Sequence, residues 1–220
     1  MIFIYDFDGV ILNSDLFKFK LFKHLFKKET AKDKKKILDY HFLNQGINRK
    51  EKFKYILENV LKKKTMNYKV DSLENEFKYL IKKKITQCKF ATGSIKSLQF
   101  LKKKKIEMFI ATGVAQTEIN LIIKKLKLKK FFSNIYGYPL TKDKIIKIIK
   151  KKKNIKNSEI YFIGDSISDL KASKKTNITF LGRRTFLNFK ILKNNKQFTE
   201  KNVYKIVKKA YDNHYTSNKS

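Results

Sequence analysis

Apolar residues fill the first five positions of the chain, and two acids and a glycine follow them. Met1–Tyr5 is apolar throughout, Asp6 and Asp8 stand two residues apart, and Gly9 comes next. A continuous apolar run is typical of a strand buried on both faces of a parallel sheet, and a glycine beside acids marks a turn. We therefore predict a buried strand that delivers two carboxylates into a tight turn. Because burying them is costly, the chain must supply a cation or hydrogen bonds nearby.

Residues 14–88 carry apolar positions at helical spacing. The clearest case is Lys50–Lys63, where the apolar residues form one stripe along a helix. Four helices are predicted. The first follows a cap at Asn13 or Ser14, the second surrounds Ile37, the third spans Lys50–Lys63 and the fourth surrounds Phe77. We predict that 14–88 is a helical domain, inserted into a core domain made of 1–13 and 89–220.

From about Ala91 onward, strand-like and helical segments alternate. The predicted strands are Ile106–Ala111, a short one near Ile135, Glu159–Ile163 and Ile178–Leu181. Helices are predicted between them, and a last helix spans about Thr199–Ala210 before a frayed polar tail. This order predicts an α/β fold, in which a Rossmann-like parallel sheet carries helices on both faces.

Acids and a hydroxyl stand where the predicted strands end. Asp6 and Asp8 follow the first strand, Thr112 follows Ile106–Ala111, and Asp165 comes shortly after Glu159–Ile163. Parallel sheets bind ligands at the carboxyl ends of their strands. We therefore expect these side chains to meet in one crevice.

Four acids in one crevice, Asp6, Asp8, Asp165 and Asp169, would repel one another without a cation. Hard oxygen ligands suit Mg²⁺. A carboxylate in such a site can attack phosphorus, while a second acid protonates the leaving oxygen and later activates water. The Thr112 hydroxyl, its neighbouring backbone amides and a lysine at the start of a later helix could hold the transferring phosphoryl group.

The formal net charge of +34 is extreme and by itself suggests a polyanionic partner. Its composition argues otherwise, because only three of the 53 basic residues are arginines, the residue that nucleic-acid readers favour. Abundant lysine with scarce glycine and proline is the pattern of an AT-rich coding sequence. We predict a solvated lysine surface with no specific nucleic-acid partner.

Cysteine and hydropathy patterns indicate the compartment. The single Cys88 excludes an intramolecular disulfide. No stretch approaches the roughly 20 apolar residues of a membrane span, and the apolar start lacks the basic leader of a signal peptide. We expect a cytoplasmic protein with no membrane partner.

Four sites along the chain form an ordered set: Asp6-Phe7-Asp8-Gly9-Val10, Ile110-Ala111-Thr112-Gly113, Lys142 and Gly164-Asp165-Ser166-x-x-Asp169. In this order they resemble the first, second, third and fourth motifs of the haloacid dehalogenase superfamily of phosphatases. The four occur in the order of the family. Each alone is a weak signal, but four in register across most of the chain are specific.

The resemblance implies roles for these residues. Asp6 would be nucleophile and metal ligand, and Asp8 the acid and base, which also binds Mg²⁺ through its backbone carbonyl. Asp165 would bind Mg²⁺, and Asp169 would be a supporting acid of the metal site. Thr112, with Gly113 beside it, and Lys142 would bind the phosphoryl group of a small phosphate ester.

Two features of the motifs refine this resemblance. Dehalogenating members lack an acid at the position of Asp8, because a leaving halide needs no proton, so phosphoryl chemistry is favoured. Lys144 competes with Lys142 for the third motif, but the run from Gly137 to Lys142 is more similar to that of the family.

The helical insertion is similar to the cap that closes over the site in this family. Gln45–Phe53 resembles a cap segment of small-molecule phosphatases, and its Arg49 either faces the substrate or is plain surface charge. Arg183 and Arg184, after a strand end, carry a similar suggestion.

A phosphatase is therefore the expected function. A phosphomutase of similar fold is the alternative among enzymes, and a nucleic-acid-binding protein is the alternative from another class. The substrate and the oligomeric state stay open.

Overall fold

The computed structural model describes residues 1–44, 47–64, 67–185, 188 and 199–216. The chain divides into two compact units, which are Met1–Asn13 together with Lys89–Ser220, and Ser14–Cys88. We call the first the core unit and the second the helical unit.

The core unit is built on a six-stranded parallel sheet with the strand order β3-β2-β1-β4-β5-β6. The strands are β1 (Ile2–Tyr5), β2 (Glu107–Ala115), β3 (Asn134–Tyr138), β4 (Ile160–Gly164), β5 (Thr179–Arg183) and β6 (Thr199–Glu200). β1 is central, since Ile4 pairs with Phe109 on one side and Phe162 on the other. The strand order reverses between β1 and β4, where open parallel sheets bind ligands.

Helices connect these strands and form the helical unit. In chain order they are α1 (Asp15–Leu25), α2 (Ala31–Leu43), α3 (Arg49–Tyr55), α4 (Asn67–Lys84), α5 (Ser94–Lys103), α6 (Gln116–Lys125), α7 (Lys142–Lys153), α8 (Ile167–Thr176) and α9 (Val203–Thr216). Helices cover both faces of the sheet, which confirms the predicted α/β fold class. Within the described parts of the chain, no helix has the length and apolar character of a membrane span.

Alternation along β1 sends side chains to both faces of the sheet. Ile2 and Ile4 join a core with residues of β2, β4, α7 and α8, including Phe109, Ile145 and Phe162. On the other face, the buried Tyr5 hydroxyl donates to Ser97 Oγ of α5 at 3.2 Å. β1 is thus held on both faces and both edges, which makes its carboxyl end a rigid platform.

Two predicted boundaries in the core unit are wrong. β2 does not end at Ala111 but continues to Ala115, with a register shift against β3 that brings Ala115 opposite Tyr138. Thr199–Glu200 is not helical, because it pairs with the end of β5. The last helix begins at Val203, where Asn202 Oδ1 accepts the Tyr204 amide at 3.0 Å.

The helical unit has four α-helices among its described residues, as the sequence predicts. The helix expected over Lys50–Lys63 is divided, because α3 ends at Tyr55 and a π-helical turn follows over Ile56–Val60. Four aromatic rings pack together in the helical unit, those of Phe22, Phe26, Phe53 and Phe77.

His41 joins this aromatic cluster and couples the helical unit to pH. Its ring stacks on Phe22 with centroids 3.8 Å apart. Burial lowers the pKa of His41 well below its usual value of 6.5, and the charges of Lys52 and Lys18 lower it further. Below about pH 6.5 the unfolded chain therefore binds a proton that the folded chain excludes. The free energy of unfolding consequently decreases as the pH is lowered.

We predict that His41→Phe removes this loss. As the pH is lowered below 6.5, the free energy of unfolding should decline more steeply for the native chain than for the variant, by up to about 1.4 kcal/mol per pH unit. The reason is that phenylalanine fills the ring cluster without titrating. Urea denaturation across this range measures it. Parallel pH profiles for the two proteins would contradict the assignment.

Candidate active site

The carboxyl ends of β1 and β4 bring two of the predicted acids together. Asp6 follows β1 directly, and its backbone amide donates to the Ile163 carbonyl of β4 at 2.9 Å. Asp165 follows β4 directly. Carboxylate oxygens of Asp6, Asp165 and Asp169 all lie within 4.8 Å of one another, and the three residues are buried. The Asp8 carboxylate is not in this group, although its charge acts on Asp6.

The third acid, Asp169, is fixed by the start of α8. Ser166 and Asp169 form a reciprocal capping box, in which Asp169 Oδ2 accepts the Ser166 amide at 3.0 Å and the Ser166 hydroxyl at 2.6 Å. A Cβ on Gly164 would stand 2.3 Å from that of Asp169, so only glycine fits there. Asp169 is thereby locked against the end of β4.

Lys142 supplies the cation of the cluster. It is the first residue of α7, it is buried, and its Nζ donates to Asp6 Oδ2 at 2.8 Å and to Asp169 Oδ1 at 2.5 Å. Lys144 is exposed. The geometry therefore places Lys142, and not its competitor, among the acids.

Burial sets the protonation of this cluster. It raises the pKa of Asp6 from 3.8 to about 7, against the opposing charge of Lys142, while Asp169 and Asp8 add to the rise. Burial alone would lower the pKa of Lys142, but Asp169 and Asp6 raise it above its ordinary value. Lys142 is thus charged, and a cation that binds beside Asp6 would lower the pKa of that carboxyl group again.

This donor set fits Mg²⁺, which takes one or two carboxylates and keeps several waters. Both oxygens of Asp169 already accept bonds, from Lys142 and Ser166. Both oxygens of Asp6 accept bonds too, from the Phe7 amide and Lys142, so hydrogen bonding alone does not separate these acids. Asp6 and Asp165, which directly follow β1 and β4, would hold the ion. Asp169 would support them through Lys142.

Thr112 lies at the same edge of the sheet. Ile110 pairs with Tyr5, so Thr112 and Gly113 extend past the end of β1, and Thr112 is 1% exposed. The Val114 amide donates to Thr112 Oγ1 at 3.3 Å. The sequence predicted that this strand ends before Thr112, but β2 runs through Thr112.

The arginines have defined contacts. Arg49 lies in the helical unit, 3.7 Å from Glu74 and over the Phe77 ring at 4.4 Å, so its suggested contact with substrate stays a prediction. Gln45 and Gly46 of the cap-like segment are outside the described residues. Arg183 donates to backbone carbonyls, one of them that of Gly9.

The sequence interpretation assigned no role to two polar residues of this region. Ser166 could have been found, because a serine three residues before an acid is the signature of a capping box. Asn188, which donates to the Asp165 carbonyl at 2.6 Å, had no such signal, since its partners are far away in the sequence.

Known proteins resemble the chain in sequence and in structure. A family model described as "Haloacid dehalogenase-like hydrolase" matches residues 3–183. A phosphorylated carbohydrates phosphatase from Thermotoga maritima is 25% identical over 185 residues, which cover 80% of this chain and 81% of that protein.

Two solved structures share the fold at low identity. A β-phosphoglucomutase from Clostridium difficile superposes with a TM-score of 0.71 at 19% identity, covering 98% of this chain and 100% of that one. A structure described as a predicted phosphoglycolate phosphatase from Haemophilus somnus gives a TM-score of 0.77 at 14% identity, covering 94% and 96%.

We predict that Lys142→Met destabilises the chain by about 3 kcal/mol near pH 8, because it leaves Asp6 and Asp169 buried without their cation. Lys144→Met, which removes the same charge from an exposed position, should cost at most about 0.5 kcal/mol. Urea denaturation in EDTA measures both. Equal losses would show that Lys142 does not stabilise the cluster.

Proposed function

Because the chain belongs to the haloacid dehalogenase-like hydrolase family, we propose that it is a Mg²⁺-dependent phosphatase that hydrolyses a small phosphate monoester through a phosphorylated Asp6. The observation that carries this proposal is the cluster at the carboxyl ends of β1 and β4. There Asp6 is buried against Lys142, with Asp165 and Asp169 within 4.8 Å. A surface carboxylate with no chemical role would not need such surroundings.

Asp6 and Asp165 would hold Mg²⁺ in this site. The bound ion would supply positive charge that offsets the repulsion between the acids and the phosphate. The remaining roles belong to side chains of the protein. Lys142 fixes the orientation of Asp6 through its 2.8 Å bond and brings a positive charge to the phosphoryl group.

In the first step, a carboxylate oxygen of Asp6 attacks the phosphorus atom. The bond from phosphorus to the ester oxygen breaks, and its electron pair stays on that oxygen. Asp8, two residues along the same turn, donates a proton to it, so the alcohol leaves neutral. Thr112 would hydrogen-bond to the phosphoryl oxygens.

In the second step, Asp8 removes a proton from water as the water oxygen attacks phosphorus. The bond between phosphorus and the Asp6 oxygen breaks, which releases inorganic phosphate and the Asp6 carboxylate. Asp8 is protonated again and ready for the next substrate. Each acid therefore returns to its starting state after one turnover.

A phosphorylated carbohydrate is the first substrate class to test, since that is the substrate named for the Thermotoga relative. A phosphomutase is the second candidate, because a β-phosphoglucomutase shares the fold over nearly its whole length. A requirement for a sugar bisphosphate during turnover would favour the mutase.

We predict Mg²⁺-dependent phosphate release from one or more members of a panel of sugar phosphates, nucleotides and phosphoglycolate. Asp6→Asn should lower kcat by about 10³-fold or more, because an amide is a poor nucleophile. Lys153→Met, which removes a charge at the Glu107 end of β2, should keep the native rate. Full activity in Asp6→Asn would contradict the mechanism. Salt-dependent retention on DNA with no phosphate release would instead support a nucleic-acid-binding protein.

The proton that Asp8 donates gives a second prediction. Asp8→Asn should lower kcat/KM about 10²-fold or more for an alkyl phosphate. It should lower kcat/KM much less for p-nitrophenyl phosphate, whose leaving group departs without a proton. Steady-state assays of both esters with the native chain and the variant measure the difference. Equal losses for both would argue against Asp8 as the acid.

A further inference from the structure

We propose that Arg183 and Asn188 are positioning residues that together hold the turns carrying Asp8 and Asp165 in fixed positions relative to each other. The proposal rests on the proposed function of the site, because it assigns the two residues a role in that chemistry. Neither residue needs to contact substrate. Both are buried, and both donate to backbone carbonyls of the turns that follow β1 and β4.

Arg183, the last residue of β5, holds the first turn. Its Nη1 donates to the Gly9 carbonyl, and its Nε donates to the Lys201 carbonyl at 3.3 Å. The Gly9 amide in turn donates to the Leu12 carbonyl at 2.8 Å. Both peptide groups that flank Gly9 are therefore fixed.

Fixing Gly9 fixes Asp8 as well. The peptide bond between them is planar, so the direction of the Gly9 N–H determines the direction of the Asp8 carbonyl. Gly9 has a φ of 69°, a left-handed conformation that a glycine can leave at little cost. A flexible residue directly after a catalytic acid needs an external restraint, and Arg183 provides one from a different strand.

Asn188 holds the second turn with its side-chain amide. Nδ2 donates to the Asp165 carbonyl at 2.6 Å and to the Arg183 carbonyl at 2.9 Å, and Oδ1 accepts the Thr185 amide at 2.7 Å. These bonds use three of the four hydrogen-bonding positions of the amide. Asn188 thus joins the main chain that carries Asp165 to the main chain that carries Arg183.

The bonds form one continuous path from Gly9 through Arg183 and Asn188 to Asp165. We call these two side chains the brace. A planar guanidinium can donate in two fixed directions, which the point charge of lysine cannot reproduce. This explains an arginine here in a chain where 50 of the 53 basic residues are lysines. Arg183 therefore acts on Gly9, which replaces the suggestion that it faces the substrate.

The experiment compares Arg183→Met and Asn188→Ala with matched controls in the core unit. Lys153→Met removes one positive charge at the start of β2, on the Glu107 side of the sheet. Asn177→Ala places alanine at a φ of 54° after the end of α8, so it lowers stability without touching either turn. All chains are assayed for thermal unfolding, hydrogen exchange by mass spectrometry, Mn²⁺ binding by EPR, and hydrolysis of p-nitrophenyl phosphate.

The brace variants should speed hydrogen exchange in the peptides that contain Asp6–Gly9 and Asp165–Ser166. They should weaken Mn²⁺ binding and lower kcat by about 10-fold to 100-fold, with a smaller change in KM. Arg183→Lys, which keeps one donor, should recover part of the loss. Asn177→Ala should lower the unfolding temperature and leave exchange at both turns, Mn²⁺ binding and kcat unchanged.

Unchanged exchange at the two turns in Arg183→Met and Asn188→Ala would overturn the brace. Faster exchange with native Mn²⁺ affinity and native kcat would overturn its positioning role. A native chain that neither binds Mn²⁺ nor releases phosphate would instead refute the proposed function, and the exchange data would still decide whether the two side chains hold the turns.

Discussion

The contact between Lys142 and the buried acids is the interaction on which the rest of the site depends. A carboxylate at the end of a central strand is costly to desolvate, and Asp6 is tolerated there because Lys142 Nζ lies 2.8 Å from it. Asp169 shares that ammonium group at 2.5 Å and is itself locked by Ser166. The three acids share one lysine, so the site favours binding of a divalent cation. The charge of that cation would in turn attract a phosphate group.

The sheet explains how residues far apart in the sequence meet here. β1 is bonded to β2 and β4, so the residues just beyond each strand reach the same edge. α7 then begins with Lys142 at that edge, and the capping box of α8 sets Asp169 beside it. Thr112 therefore stands on a strand and Lys142 and Asp169 stand at helix starts, while Asp6, Asp8 and Asp165 stand just after the ends of β1 and β4.

Local signals in the sequence were enough to predict much of this arrangement. The apolar run before Asp6, the glycines near the acids and the change from helical to alternating spacing predicted the fold class and the end of β1, because each depends on neighbours in the chain. Asn188 and the strand Thr199–Glu200 escaped prediction, since each is defined by distant partners, the Asp165 carbonyl and the end of β5. The role of Lys142 likewise depends on contacts with residues distant in the sequence, Asp6 and Asp169.

The central claim is that Asp6 carries the phosphoryl group during turnover. Asp8→Asn should form the phosphorylated chain from p-nitrophenyl phosphate but lack the base that activates water, so the intermediate should accumulate. Acid quenching followed by peptide mass spectrometry tests this directly. The account predicts a phosphoryl group on the peptide that contains Asp6, lost when Asp6→Asn is added. A phosphoryl group on another residue, or none while hydrolysis proceeds, would contradict it.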